Sequence, residues 1–174
     1  MIDADERELL HSVVAVARAI YGAPGSAIFL LDKECDALVF QAVSGIGEDH
    51  LVGSRFPADF GVLGWVINSG ESIIVDDMAG NRRCAQEIHD VIGYLPDTIM
   101  AAPLLSGRET LGVLVVLDPG PQSRSSLPDL ELLGLFANQA AVALNVVARH
   151  RADPGQTRAA LLEELREFLL RDCA

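Results

Sequence analysis

Between Thr98 and Asp118 the chain reads TIMAAPLLSGRETLGVLVVLD, two apolar runs, Ile99–Leu105 and Leu111–Leu117, around Ser106-Gly107-Arg108-Glu109. Short runs rich in Val, Leu and Ile on either side of a glycine-bearing turn predict a β-hairpin. Neither run alternates between apolar and polar residues. A sheet with one face in water is therefore excluded, and both faces of this hairpin are expected to be covered by other parts of the protein. Pro103 has no N–H for a strand ladder, so it is expected at a bulge or a strand end.

The hairpin needs cladding, and the flanking sequence supplies it. Asp3 to Tyr21 predicts an amphipathic helix, with Leu9, Leu10, Val13, Val14, Ala17, Ile20 and Tyr21 at helical spacing and acidic residues near its N-terminal end. Gly22-Ala23-Pro24-Gly25 stops it. Ser26–Leu31 and Ala37–Val43 predict a second hairpin about Asp32–Asp36. Ser44 to Asp59, with Gly45, Gly47, Gly53 and Pro57, reads mainly as loop.

Phe60 to Ile67 then predicts a short apolar helix ended by Asn68-Ser69-Gly70, followed by a strand over Glu71–Val75 and a turn over Asp76–Gly80. Arg82 to about Gly93 predicts a helix with Ile88, Val91 and Ile92 facing inward. After the Pro119–Ser126 connector, Ser126-Leu127-Pro128-Asp129 has the form of a capping box and starts a helix to about Arg149. Its apolar residues cover more than one stripe, so it needs a partner besides the sheet. Asp153-Pro154-Gly155 breaks the chain, and Leu161, Leu162, Leu165, Phe168 and Leu169 predict a last amphipathic helix over Thr157–Asp172. The organisation expected is one α+β domain over residues 1–150, then a linker and C-terminal helix over 151–174.

Charge and composition narrow the function. A net charge of −12 argues against a broad nucleic-acid or anionic-lipid surface. No apolar run reaches the roughly 20 residues of a membrane span, and MIDADERELL is acidic where a signal peptide is basic. Three cysteines at unrelated spacings form neither a disulfide framework nor a zinc site, which points to a reducing, cytoplasmic setting.

In this order and spacing the segments resemble a GAF domain, a small sensory module of phosphodiesterases, histidine kinases, phytochromes and bacterial regulators. The resemblance runs from about Leu9 to Arg149. It rests on Ala27–Asp32, on Gly61–Asp77, on Ala102-Pro103-Leu104, on Leu111–Leu114 and on Leu132-Leu133 with Ala137–Asn145. It implies a central antiparallel sheet of five or six strands. The terminal helices would lie on one face, commonly as a dimeric bundle, and loops and short helices from Ser44 to Pro96 would close a ligand pocket on the other. The same scaffold serves many ligands, or none.

Phe60 and Trp65 suit a planar ligand in such a pocket, and the competing reading packs them onto the sheet. Asp76, Asp77, Arg82, Arg83 and His89 form a polar cluster at the expected rim. The two arginines suit an anionic or zwitterionic ligand, and the competing reading is a solvated face. The resemblance brings up haem, cyclic nucleotides and bilin, but the residues those members use are not found here in pattern, so no cofactor or metal is expected. The family's enzyme, free methionine sulfoxide reductase, carries its nucleophile in a Gly-Val-Cys-Gly turn. Here that turn is Gly61-Val62-Leu63-Gly64, and Leu63 has no thiolate, so no catalytic residue is expected. Val13, Ala137, Asn138, Ala141 and Asn145 are the candidate residues of a homodimer seam. The sequence thus points to a non-catalytic regulatory domain that binds a small ligand and acts through a partner or output domain. The alternative is a dimerisation scaffold with a collapsed pocket.

Overall fold

The computed structural model describes residues 4–80 and 82–152, apart from the side chains of residues 79, 82–85, 87 and 150–152. The predicted helix over Thr157–Asp172 and its linker lie outside the described residues.

The predicted hairpin forms β5 (Ile99–Ser106) and β6 (Glu109–Leu117), with Ser106 opposite Glu109 and Gly107 at a φ of 63° in the turn. With α1 (Ala4–Ile20), β1 (Gly25–Asp32), β2 (Ala37–Gly45), β3 (Arg55–Pro57), α2 (Gly61–Ser69), β4 (Ile73–Val75), α3 (Arg82–Ile92) and α4 (Leu127–Ala152), it builds one antiparallel sheet in the order β3-β2-β1-β6-β5-β4. A single 3-10 turn, Met78–Gly80, lies between β4 and α3.

The unalternated runs are explained by burial on both faces. Ile28, Met100, Ala102, Leu104, Leu114 and Val116 point to the back, against Leu10, Val14, Ala17 and Tyr21 of the first helix region and Leu133, Ala137, Ala140 and Ala141 of α4. Their neighbours Ala27, Phe29, Ile99, Ala101, Val113 and Val115 point to the front, with Phe40, Phe56, Val66, Met78 and Ile88. Each fully buried Leu, Ile or Val contributes about 1.5–3 kcal/mol, so two such layers account for the stability of the sheet.

Two expectations are revised. Pro103 lies inside β5, paired with Val113, next to a bulge at Leu104/Leu105. The neighbouring β4 reaches only to Ala101, so no outer ladder is lost there. The stretch read as loop from Ser44 to Asp59 contains β3, a three-residue edge strand paired with β2 and tied by the Arg55–Asp32 ion pair at 2.9 Å. That pair holds the half-buried Asp32 carboxyl below its ordinary range.

The expectation that no stretch reaches the length of a membrane span is also revised: by length and composition Leu127–Arg149 is apolar enough to cross one, with a mean hydropathy of 1.5. In this structure one face of it is packed on the sheet of its own chain.

Candidate functional site

The front of the sheet is closed by α2 and α3. Gly64 lets α2 start tight against the preceding loop: a Cβ there would lie 2.4 Å from the Asp59 carbonyl carbon. Gly70, in the left-handed region with its N–H on the Val66 carbonyl at 2.9 Å, ends the helix. On α3, Ile88, Val91 and Ile92 follow i, i+3, i+4 and face the sheet, as their spacing predicts.

Between these layers is a cavity of about 40 Å³. The sheet contributes Phe29, Phe40, Ile99, Val115 and Leu117; β3 and α2, with the residue before it, contribute Phe56, Phe60, Val62 and Leu63; α3 supplies its three inward residues. Phe29 and Phe40 stand 4.1 Å apart between ring centroids, and Phe56 packs edge-on to Phe40 at 5.4 Å and against Phe60 at 5.3 Å. Every described lining side chain is apolar. Such a lining can attract a ligand by hydrophobic transfer and dispersion, and among the described residues it offers no side-chain donor for a phosphate and no nucleophile. Its volume is far below the 300–1,000 Å³ or so of typical small-molecule sites.

Of the candidate ligand residues with described side chains, only Phe60 lines this cavity. Trp65 is 44% exposed on the outer side of α2, in neither the cavity nor the core, because α2 buries only Gly64 and Val66. Asp76 accepts from the Thr98 hydroxyl at 2.5 Å, beside the sheet end. Asp77 is an exposed turn residue with a φ of 55°. His89 is exposed on α3, away from the inward Ile88–Val91–Ile92 face. Arg82 and Arg83 begin α3, and their side chains lie outside the described residues. The polar cluster is thus not brought into the cavity by any of its described side chains. Alternation on β1, β2 and β6 could have marked Phe29, Phe40, Val115 and Leu117 as front-facing lining.

One polar centre does join this front layer to the helices behind. Asp118 ends β6 in the left-handed region, with a φ of 44°. Its carboxylate accepts from the Tyr94 hydroxyl and from the backbone N–H groups of Asp97 at 2.9 Å and Thr98 at 2.8 Å. That bond, with partial burial, pushes the Tyr94 phenol up to about 12. Asp97 in turn pairs with Arg124 at 2.8 Å, in the connector leading to α4.

The dimer candidates divide. Ala137 and Ala141 are wholly buried against the sheet of their own chain, so they are core residues and not seam residues. Val13 is partly buried against the same core. Asn145 donates to the Ser106 hydroxyl at 2.8 Å, which ties α4 to the end of β5. Asn138 is exposed. Among the described residues, the large apolar side chains left exposed on these two helices are Val16 and Ile20 on α1 and Leu127, Leu132, Leu135, Val142 and Val146 on α4.

The GAF domain family model matches residues 5–144. Among curated proteins, the mouse (Mus musculus) cone cGMP-specific 3',5'-cyclic phosphodiesterase subunit alpha' is 28% identical over 103 residues, 57% of this chain and 12% of that protein. The chain therefore spans about an eighth of that relative. Among solved structures, the GAF domain of an Acinetobacter phosphoenolpyruvate-protein phosphotransferase superposes with a TM-score of 0.70 at 20% identity, covering 85% of each chain. Free methionine-R-sulfoxide reductase from Neisseria meningitidis superposes with a TM-score of 0.61 at 21% identity, covering 83% of each. At these identities the two structures show a shared fold.

Proposed function

The chain belongs to the GAF domain family, and from that premise we propose a non-catalytic regulatory module whose front cavity receives a small, neutral, apolar ligand. The observation that carries this reading is the cavity lining, twelve apolar side chains including four phenylalanines. It favours a neutral ligand over the anionic or zwitterionic one expected from Arg82 and Arg83: a charged group placed there would lose its hydration and find no partner among the described lining side chains. A cyclic nucleotide has neither the room nor a phosphate donor among the described lining residues. Because the cavity is small, a ligand larger than a few atoms enters only as α3 lifts.

The reading of no catalysis is supported by Leu63, which occupies the third place of the Gly61–Gly64 turn and lines the cavity with a methyl-bearing side chain. Signalling would pass through α1 and α4 to a partner or output domain, in a cytoplasmic setting. A homodimer would bury the outward apolar residues. On α4, Leu132, Leu135, Val142 and Val146, with Gln139 completing a 3-4-3-4 spacing, suit a helical seam.

The small volume also favours a second reading, a dimerisation scaffold with a closed front. Thermal melting against a library that pairs neutral aromatics and short aliphatics with cyclic nucleotides and amino acids separates the two. The apolar set raises the melting temperature under the first reading, and no compound does so under the second.

A further inference from the structure

The segment from Tyr94 to Thr98 follows α3 after Gly93, and it is held by Asp118, which follows β6 and faces Thr98 at the end of the β5–β6 ladder. Thr98 is fully buried, with its N–H on Asp118 Oδ1, its hydroxyl on Asp76 and its carbonyl accepting from the Asp118 N–H at 2.8 Å. From Asp97 the network crosses to Arg124 Nη1, and Arg124 Nε reaches the Pro119 carbonyl at 3.4 Å. Ser123 and Ser126 continue it by backbone bonds, and the Ser126 hydroxyl caps α4 by accepting from the Asp129 N–H at 3.3 Å. Tyr21, at the end of α1, closes the circuit: its hydroxyl donates to the Asp129 carbonyl at 2.7 Å, and its own carbonyl accepts from Gly120 at 2.8 Å.

We infer that Asp118 is the joint of the domain, a positioning residue that ties α3, the cover of the cavity, to the first turn of α4 and the end of α1. The inference rests on the regulatory reading above, for which it specifies the regulation. When α3 lifts, Tyr94 and Asp97 move with the chain that follows it. The Asp118 carboxylate then loses its hydroxyl partner, and Arg124 loses the carboxylate that fixes the connector. The part-buried bonds from Tyr94 and Thr98 to the Asp118 carboxylate are charge-assisted and carry most of the coupling, and the exposed Asp97–Arg124 pair adds a smaller share. A covered and an uncovered front thereby favour different settings of the α1–α4 pair. The left-handed backbone at Asp118 suits an acidic side chain or glycine, which keeps the joint local to one residue.

Hydrogen exchange on the whole chain tests this without any ligand. Tyr94→Phe removes one hydroxyl. Asp118→Gly removes the carboxylate while keeping a residue at ease with positive φ. Both are expected to speed exchange by about tenfold at residues 88–98 and, together with that, at residues 123–133. Arg124→Ala is expected to speed exchange at 123–133 and leave 88–92 as in the parent. Amides of β2, separated from β6 by β1, serve as the internal reference for global unfolding. Tyr94→Phe is the mildest change and decides the matter if Asp118→Gly fails to fold. Faster exchange confined to 88–98, or no change in Tyr94→Phe at either place, would overturn the joint. Absence of an apolar ligand leaves this test intact, and the melting test does not depend on Asp118, so the two readings fail separately.

Discussion

The hydroxyl of Tyr21 donates to the carbonyl of Asp129 at 2.7 Å, joining the last turn of α1 to the first turn of α4 while the ring is almost wholly buried. Burial, with the nearby Asp129 carboxylate, pushes the phenol up to about 12. A raised tyrosine value means that the folded state keeps the proton which the unfolded chain gives up near 10. Stability from this source is complete below pH 10 and falls as the pH rises from about 10 to about 12. Tyr94 behaves alike. Urea unfolding should show the parent losing stability over that window, with a shallower loss in Tyr21→Phe or Tyr94→Phe. At neutral pH Tyr21→Phe should cost about 1 kcal/mol, because only the hydroxyl bond is lost.

Gly112 sits where β6 crosses closest to β1: a Cβ would lie 2.0 Å from the Phe29 carbonyl oxygen. Gly112→Ala must spread two central strands and should cost about 2–4 kcal/mol. Gly107→Ala meets no atom within 4 Å and carries only the penalty of its positive φ, about 1 kcal/mol. Denaturant midpoints at constant slope would rank the two.

On α4, Ala141 and Val142 are neighbours in sequence with opposite roles, one buried on the sheet and one facing out. Ala141→Glu should unfold the domain, since it places an unpaired carboxylate in the core. In the homodimer proposed above, the pair Leu135→Glu and Val142→Glu should leave the melting temperature nearly unchanged and shift the chain toward monomer. Thermal melting reads the first result and sedimentation velocity the second.

These contrasts show what was legible in the sequence and what was not. The hairpin of β5 and β6, the terminal helices and the inward face of α3 were legible because each carries its own periodicity and its own stops, such as Gly93 and the Ser126 cap. β3 was not, because three residues have no pattern of their own and become a strand only when β2 lies beside them. Trp65 was placed toward a ligand from its type, yet α2 is so short that one of its apolar faces is left in water. The cluster Asp76, Asp77 and His89 is dense in sequence but is spread by a turn, a hydrogen bond to Thr98 and the outer face of α3. Ala137 and Ala141 suit a close helix seam and a close helix–sheet contact equally well, and only the packing decides between them.

Phe40 is almost fully buried and lines the cavity. Phe40→Ala should cost about 3–5 kcal/mol by enlarging an apolar void, and benzene at saturation should restore part of the loss, as such voids stay dry. Unfolding with and without benzene checks this, and the restoring effect should be absent for Phe40→Leu.

The central claim, an apolar receiving site on the front of the sheet, is tested most directly by methyl NMR of the unaltered chain during titration with indole and, separately, with cGMP. The account predicts saturable shifts at Leu63, Val115 and Leu117 with indole, with cGMP leaving them unmoved. Silent methyls with indole, or shifts produced by cGMP alone, would contradict it.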